Sequence, residues 1–128
     1  MADDKEKWAK QLSPEQFAVC WNKGTEAPFT GKHLTEKRAG TFVCVCCHSP
    51  LFSTQTKFDS GTGWPSFWQA IDTNRINYIT DRTHGMLRTE VCCQQCGSHL
   101  GHVFDDGPQP SGQRYCINSL SLEFIPDS

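Results

Sequence analysis

Apolar residues downstream of residue 41 come in short runs, separated by clusters of glycine, proline, aspartate and asparagine. The runs are rich in β-branched and aromatic residues, which favour strands over helices. A helical period is missing from this region, apart from a short turn expected near residues 66–71. Strands are therefore predicted at residues 42–45, 76–79, 86–92 and 115–125.

The N-terminal part of the chain shows helix signals instead. Ser13 is a suitable N-cap, Pro14 suits the first helical position, and Gln16 can complete a capping box. Gly24 is the expected end of this helix, because glycine commonly terminates helices. A second short helix is predicted within the polar residues 4–11.

These patterns predict one domain over residues 1–128, an ordinary length for a single core. Residues 1–40 are expected to form helices and an extended loop that wrap the core. Residues 41–126 are expected to form the β core itself.

Charge and terminal sequence limit the classes of partner. The net charge is −2, which gives no reason to expect binding to nucleic acid or to an anionic membrane surface. The N-terminus carries charges of both signs and lacks the apolar centre of a signal peptide. No stretch approaches the ~18 apolar residues that a membrane-spanning helix needs. We therefore expect a cytoplasmic protein, and a monomer, because no exposed apolar stripe is evident.

Eight cysteines are too many to be incidental, and four of them form two CxxC pairs. In a reducing compartment such cysteines serve as metal ligands or reactive thiols more often than as disulfides. Two CxxC pairs supply the four thiolates of a closed, tetrahedral, structural Zn²⁺ site. A redox-active CxxC remains an alternative, although the βαβ pattern typical of one is absent. The predicted zinc ligands are Cys44, Cys47, Cys93 and Cys96.

Two other cysteines could compete for the role of zinc ligand, because Cys46 and Cys92 each lie next to a predicted ligand. We interpret both as spare thiols, since a free cysteine often packs as a small hydrophobic residue.

Cys116 stands apart from the other cysteines and is the candidate nucleophile. Strand alternation places Arg114, Cys116 and Asn118 on one face, which continues through Leu120, Leu122 and Phe124. The apolar end of that face must be buried, so its polar end lies at the mouth of the core. A guanidinium at Arg114 would favour the reactive thiolate form of Cys116. The alternative is a plain buried cysteine.

His99 and His102 follow directly on the second CxxC pair, which fixes them in space. Either could deliver a proton in a thiol reaction. The alternative is that one or both lie at the surface or beside the zinc site. His84 is a third candidate, although its sequence neighbourhood is more typical of a turn.

Residues 60–68 form a glycine- and proline-rich loop that carries aromatic side chains. Such a loop can form one wall of an apolar pocket, which suits a methyl group next to a polarised sulfur. Trp64 lies between Gly63 and Pro65 and is the best placed of the aromatic residues to contact a ligand. For Phe67 and Trp68, filling the core is an equally good interpretation.

Taken together, these segments resemble the methionine-R-sulfoxide reductases over nearly all of the chain beyond residue 12. The matching segments are the start of the loop at 24–31, the two CxxC pairs, 60–67, 99–104, 106–108 and 114–119. The resemblance implies a mainly β fold of twisted antiparallel sheets, similar to a β-tent, with short N-terminal helices and a structural zinc opposite the active site.

The resemblance also implies roles for individual residues. Cys116 would attack the sulfoxide sulfur of the R epimer, release methionine and become a sulfenic acid. Assistance by hydrogen bonding and proton delivery would come from His99, His102 and Asn118. The substrate would be methionine-R-sulfoxide, free or in oxidised proteins and peptides, and its implied contacts are Trp64, Phe104, Arg114 and His84.

One position departs from the family pattern. Many members carry a cysteine where this chain has Thr62, and that cysteine resolves the sulfenic acid into a disulfide for thioredoxin to reduce. Cys20 is one candidate replacement as a resolving thiol, and Cys46 or Cys92 are others. The remaining route is direct reduction of the sulfenic acid by thioredoxin or another thiol.

Two other classes of function compete with the enzyme. A zinc-stabilised binding module would hold a ligand against Trp64 without chemistry, but it has no need of Cys116 beside Arg114 and Asn118. A redox sensor would oxidise its zinc thiolates, and mild peroxide would then release zinc before any function of Cys116 is lost.

Overall fold

The computed structural model describes residues 8–22, 24, 27, 29, 31, 33–34, 36–82, 88–109 and 111–127. Within these residues, no helix has the length and apolar character needed to span a membrane.

Helix α1 (Pro14–Asn22) begins where the sequence predicts. The Ser13 hydroxyl accepts a hydrogen bond from the backbone N–H of Gln16 (3.1 Å), and the Gln16 side chain accepts one from the N–H of Ser13 (2.9 Å). This reciprocal pair is the predicted capping box, and it satisfies two N–H groups that the first turn leaves without helical partners. At the other end, the N–H of Gly24 donates to the carbonyl of Ala18 (2.9 Å).

A short helical segment at residues 8–11 precedes α1, as predicted within residues 4–11. Trp8 from this segment stacks on Trp21 of α1, with ring centroids 6.1 Å apart. The buried residues of α1 are Val19 and Cys20, on the face that packs against the β core. The N-terminal helices therefore cover one side of the core.

The rest of the described chain is built from short strands, which confirms the mainly β fold class. In chain order the strands are β1 (Gly40–Cys44), β2 (Pro50–Ser53), β3 (Lys57–Phe58), β4 (Ser66–Phe67), β5 (Ile76–Asp81), β6 (Arg88–Cys93), β7 (His99–Phe104), β8 (Arg114–Ile117) and β9 (Leu122–Pro126). Short 3-10 helices occur at Thr54–Thr56, Thr73–Arg75 and Ser119–Ser121.

The strands form two antiparallel sheets. One has three strands in the order β2-β1-β9, and the other has six in the order β3-β4-β8-β7-β6-β5. Aromatic side chains between the sheets form the core: Phe67 packs on Phe42 and Phe52 with ring centroids 5.2 and 4.6 Å apart. All three rings are fully buried, so Phe67 fills the core.

Two predicted elements are wrong in detail. The single strand predicted at 115–125 is two strands, because the 3-10 helix at Ser119–Ser121 interrupts it and sends β9 into the other sheet. Leu122 and Phe124 therefore do not extend the face that carries Cys116. The short turn expected near residues 66–71 begins as strand β4, which pairs with β8 and β3.

Candidate active site and metal centre

Four cysteine thiols converge between the two sheets. The sulfur atoms of Cys44, Cys47, Cys93 and Cys96 all lie within 4.8 Å of one another. The shortest separations are 3.6 Å between Cys44 and Cys96 and 3.5 Å between Cys47 and Cys93. A tetrahedral zinc with Zn–S bonds of about 2.3 Å has sulfur–sulfur edges of about 3.8 Å. The four predicted ligands are thus positioned to bind one metal ion, and the donor set suits zinc.

The two CxxC turns have matching backbone hydrogen bonds. His48 donates to the carbonyl of Cys44 (2.9 Å), and Gly97 donates to the carbonyl of Cys93 (2.8 Å). Both residues adopt a left-handed backbone, with φ of 65° at His48 and 85° at Gly97. The Ser98 hydroxyl lies 3.4 Å from the sulfur of Cys44, where it can donate a hydrogen bond to a metal-bound thiolate.

A metal at this point would join the two sheets. Cys44 ends β1 of the three-stranded sheet, whereas Cys93 ends β6 of the six-stranded sheet. The adjacent thiols lie outside this four-sulfur group: Cys46 is buried in the core, and the Cys92 thiol donates to a carboxylate oxygen of Glu90 (3.3 Å).

The second cluster surrounds Cys116 on strand β8. A cavity of about 250 Å³ opens beside its side chain, which is half-buried. The predicted site residues that line this cavity are Trp64, His102, Phe104, Arg114, Cys116 and Asn118. The fold thus brings together six residues from three separate segments of the chain.

Strand pairing fixes the position of Cys116 on both sides. His102 of β7 lies directly opposite it on one side, and Ser66 of β4 lies opposite it on the other. Gly101 of β7 also lines the cavity, and a β-carbon at that position would collide with the carbonyl oxygen of Cys116. Only glycine therefore allows β7 to approach β8 this closely.

Arg114 is held by an ion pair and by an aromatic ring. Its guanidinium donates to both carboxylate oxygens of Asp106, at 2.9 and 3.2 Å, and lies 4.5 Å from the ring centroid of Phe104. The hydrogen bond from Arg114 lowers the pKa of Asp106 below its ordinary value. Asp106 and Phe104 thus hold the guanidinium of Arg114 at the wall of the Cys116 cavity.

Asn118 follows directly on β8 and is anchored twice to one carbonyl. Its backbone N–H and its side-chain amide both donate to the carbonyl oxygen of Leu100, at 3.0 and 3.1 Å. The side chain is buried and lies at the cavity wall. This anchoring fixes the orientation of its carboxamide relative to Cys116.

The two neighbouring histidines differ in position. His102 lines the cavity, whereas His99 is buried behind it and places its ring edge-on to that of His102, with centroids 5.6 Å apart. The Nδ1 of His99 lies 2.7 Å from a carboxylate oxygen of Glu90, which is itself buried. His102 is thus placed to contact a ligand in the cavity, whereas His99 is not among the residues that line it.

Trp64 and Thr62 come from the glycine-rich loop and form the opposite wall of the cavity. Ser60 holds this loop, because its hydroxyl lies 2.7 Å from the hydroxyls of both Thr62 and Ser66. Thr62, the position at which the sequence departs from the expected family pattern, thus lines the Cys116 cavity.

A second, open cavity of about 420 Å³ shares Trp64 with the first. Phe29 lines it with an aromatic ring that is 68% exposed. The backbone of Phe29 is in the left-handed region (φ 65°), and its N–H donates to the carbonyl of Gly63 (2.7 Å). A non-glycine residue in this conformation is strained, and such strain is concentrated at functional sites.

Cys20 lies away from the Cys116 cavity. It is on the inner face of α1, only 2% exposed, and its thiol faces the hydroxyl of Ser121 at 3.8 Å. His84, the remaining predicted substrate contact, is outside the described residues.

Sequence reasoning missed two residues of this region, Arg88 and Glu90. Arg88 lines the Cys116 cavity, and Glu90 pairs with His99. A signal was present for Glu90, because it is a charged residue next to the apolar residues of a predicted strand. A buried charge in a strand is uncommon unless it has a partner.

Known proteins resemble this chain over most of its length. Residues 12–126 match the SelR domain family. A peptide methionine sulfoxide reductase MsrB from Pseudomonas putida is 60% identical over 94% of this chain and 91% of its own length. Proteins of the same name from Hahella chejuensis and Alteromonas mediterranea are each 56% identical, over 93% and 91% of this chain and 86% and 82% of their own lengths. The chain therefore belongs to the SelR domain family, with the peptide methionine sulfoxide reductases MsrB as its relatives.

Proposed function

We propose that this protein reduces the R epimer of methionine sulfoxide to methionine, with Cys116 as the nucleophile. The observation that carries the proposal is the cavity at Cys116, where a half-buried thiol on a rigid strand faces Trp64, His102 and Asn118. The membership of the family supports the reaction, and the cavity supports the choice of residue.

The cavity matches the two ends of the substrate side chain. The sulfoxide group is polar, and the methyl next to it is apolar. Trp64 offers an indole for the methyl group, while His102 and Asn118 provide the polar side. A sulfoxide held between these walls would present its sulfur to Cys116. The handedness of the arrangement, with one apolar and one polar wall, is the basis for selecting a single epimer.

The chemical step transfers one oxygen atom. The Cys116 thiolate attacks the sulfoxide sulfur and forms a transient sulfur–sulfur bond. The oxygen takes up a proton and moves to the Cys116 sulfur as its bond to the substrate breaks. The sulfur–sulfur bond then breaks, which releases methionine and leaves Cys116 as a sulfenic acid. Methionine gains two electrons and Cys116 loses two. The oxygen needs a proton as its bond to the substrate breaks, and the imidazole of His102, directly opposite Cys116 on the neighbouring strand, is the candidate donor.

Regeneration needs two thiol groups from a reductant. The first thiol attacks the sulfenic acid, which releases water and leaves a mixed disulfide between Cys116 and the reductant. The second thiol attacks the reductant's sulfur in that disulfide and releases Cys116 as a free thiol. We propose that thioredoxin or a similar dithiol does this directly at the mouth of the cavity. Resolution by Cys20 is the intramolecular alternative, and it requires α1 to move because Cys20 is buried against Ser121.

We propose that the four-cysteine site holds one zinc ion with a structural role. The site is closed by four thiolates, which leaves no position for substrate. Zinc bound by Cys44, Cys47, Cys93 and Cys96 would join the two sheets and so support strands β6 and β7 behind the cavity. No step of the reaction passes through this site.

The open cavity next to Trp64 favours a polypeptide substrate over the free amino acid. Its lining combines apolar residues, including Phe29 and Leu34, with charged residues such as Lys57 and Asp59. Chain on one side of an oxidised methionine could lie there while the sulfoxide enters the Cys116 cavity past Trp64. We further propose that the protein acts as a monomer in the cytoplasm, where reduced thiols are maintained.

The test uses a short peptide containing racemic methionine sulfoxide, with dithiothreitol as reductant and chromatographic resolution of the epimers. The wild type is expected to consume the R epimer and leave the S epimer, and Cys116→Ser is expected to consume neither. Consumption of the S epimer, or of neither epimer by a folded, zinc-loaded wild type, would rule the proposal out.

A further inference from the structure

A buried carboxylate lies in the same row of side chains as the nucleophile. Across three neighbouring strands, Glu90 of β6 is directly opposite His102 of β7, and His102 is directly opposite Cys116 of β8. Directly opposed residues of antiparallel strands project from the same face of the sheet. The row therefore joins the cavity to a buried carboxylate, and Ile79 of β5 lies directly opposite Glu90 on its other side.

Glu90 is unusual for its position. Only 3% of the residue is exposed, and one of its carboxylate oxygens lies 2.7 Å from Nδ1 of His99, which is 4% exposed. The thiol of Cys92 donates to the same oxygen at 3.3 Å. An ionised carboxylate in this environment is costly unless it is paired and hydrogen-bonded, and the contact with His99 contributes to offsetting that cost.

Stability alone does not explain such a pair. A buried charged pair is on average no more stable than a well-packed apolar pair of similar volume, because removing both groups from water offsets their attraction. A central strand between β5 and β7 is a position where valine or isoleucine would pack well. The role of the Glu90–His99 pair must therefore lie in the side chains that it orients.

We infer that Glu90 is a positioning residue that acts through His99 on His102. Glu90 accepts the Nδ1–H of His99, which fixes the tautomer and ring plane of that imidazole. The His99 ring then packs edge-on against His102, with centroids 5.6 Å apart, and holds it against the cavity opposite Cys116. The inference rests on the proposed function, because it explains how Glu90 and His99 hold His102, the proposed proton donor.

The test compares Glu90→Gln with a matched control, Glu123→Gln. Glu123 also lies on a strand and pairs with a histidine, His48, at 3.2 Å, but this pair is solvent-exposed and its partner belongs to the first CxxC turn. The assay is steady-state reduction of a methionine-R-sulfoxide peptide. Zinc content and the melting temperature are measured on the same samples.

We expect Glu90→Gln to lower kcat by about tenfold or more, as is typical when an outer hydrogen-bonding partner of a functional histidine is removed. KM should change less than twofold, because Glu90 does not contact the substrate. Glu123→Gln should leave both constants unchanged. An unaltered kcat for Glu90→Gln, or a loss that follows the fraction of unfolded protein, would overturn the inference.

A measurement on the wild type keeps the inference testable if Glu90→Gln does not fold. Nitrogen-15 NMR of the histidine side chains should show a proton on Nδ1 of His99. An Nδ1 without a proton would overturn the inference. The wild-type activity separates the two proposals: a wild type that reduces the peptide while Glu90→Gln is unaffected contradicts only the role of Glu90, whereas an inactive wild type contradicts the proposed function.

Discussion

Cys116 and His102 lie directly opposite each other on adjacent antiparallel strands, and both line the same cavity. Gly101, next to His102, allows the two strands to approach closely. The relative position of thiol and imidazole is thus set by backbone pairing in the middle of a sheet. This is more rigid support than a pair of loops would give.

Metal removal is expected to weaken the whole fold, because the four-cysteine site joins the two sheets. Cys93→Ser should abolish stoichiometric zinc binding and lower the melting temperature by ~10 °C or more, since a structural zinc contributes its binding free energy to folding. The measurement is calorimetry together with zinc analysis. Cys46→Ser is the matched control from the first CxxC turn and should keep its zinc; loss of zinc there would show that the ligand set is wrong.

Cys20 is expected to be dispensable for reduction of the sulfenic acid. It is buried on α1 and faces Ser121, so the reductant should reach Cys116 before Cys20 does. Cys20→Ser should therefore turn over at the wild-type rate with dithiothreitol and with thioredoxin. A variant that keeps its activity with dithiothreitol but loses it with thioredoxin would instead identify Cys20 as the resolving thiol.

Phe29 is expected to matter only for polypeptide substrates. Its exposed ring lines the open cavity beside Trp64. Phe29→Ala should therefore raise KM for a methionine sulfoxide peptide by about fivefold, the loss expected for ~1 kcal/mol of aromatic contact. The KM for free methionine sulfoxide should not change.

Ile71→Ala is the control for this comparison, because Ile71 is also a large exposed apolar residue, at 45% exposure. Equal effects of Phe29→Ala on the peptide and on the free amino acid would contradict a groove for flanking chain.

The ion pair between Asp106 and Arg114 should make no contribution to the pH dependence of activity near neutrality. Arg114 lowers the pKa of Asp106, so the pair forms fully above the ordinary aspartate pKa and is lost only as the pH falls through the lowered value. Asp106→Asn should reduce kcat/KM, because Arg114 loses the carboxylate that holds it at the cavity. The factor should be constant between about pH 6 and 9, because Asp106 stays ionised throughout that range. A change in the shape of the profile over that range would show that the pair titrates there.

The sequence was sufficient for the features that depend on local spacing. The capping box at Ser13, the two CxxC pairs and the polar end of β8 all have short-range signals, and the structure contains each of them. The distinction between His99 and His102 had no such signal. They are three residues apart, and only the pairing of β7 with β6 and β8 places one behind the other.

Long-range structure explains the remaining differences. The run from Tyr115 to Ile125 reads as one strand because its residues are β-prone throughout, yet it must cross from one sheet to the other. The 3-10 helix at Ser119–Ser121 makes that crossing possible, and the carbonyl of Asn118 at its start accepts a hydrogen bond from the N–H of Ser121 (3.1 Å). Similarly, Glu90 could be recognised as unusual from its apolar neighbours, but its partner nine residues away depends on the turn at the metal site.

The most direct test of the account is a single turnover without reductant. The protein is mixed with a methionine-R-sulfoxide peptide, and the products are analysed by mass spectrometry after trapping of sulfenic acids. We expect about one methionine per chain, with the trapped adduct on Cys116 and zinc retained, as a one-oxygen transfer to a single thiol requires. An adduct confined to another cysteine, or formation of methionine by Cys116→Ser, would contradict the assignment of Cys116 as the nucleophile.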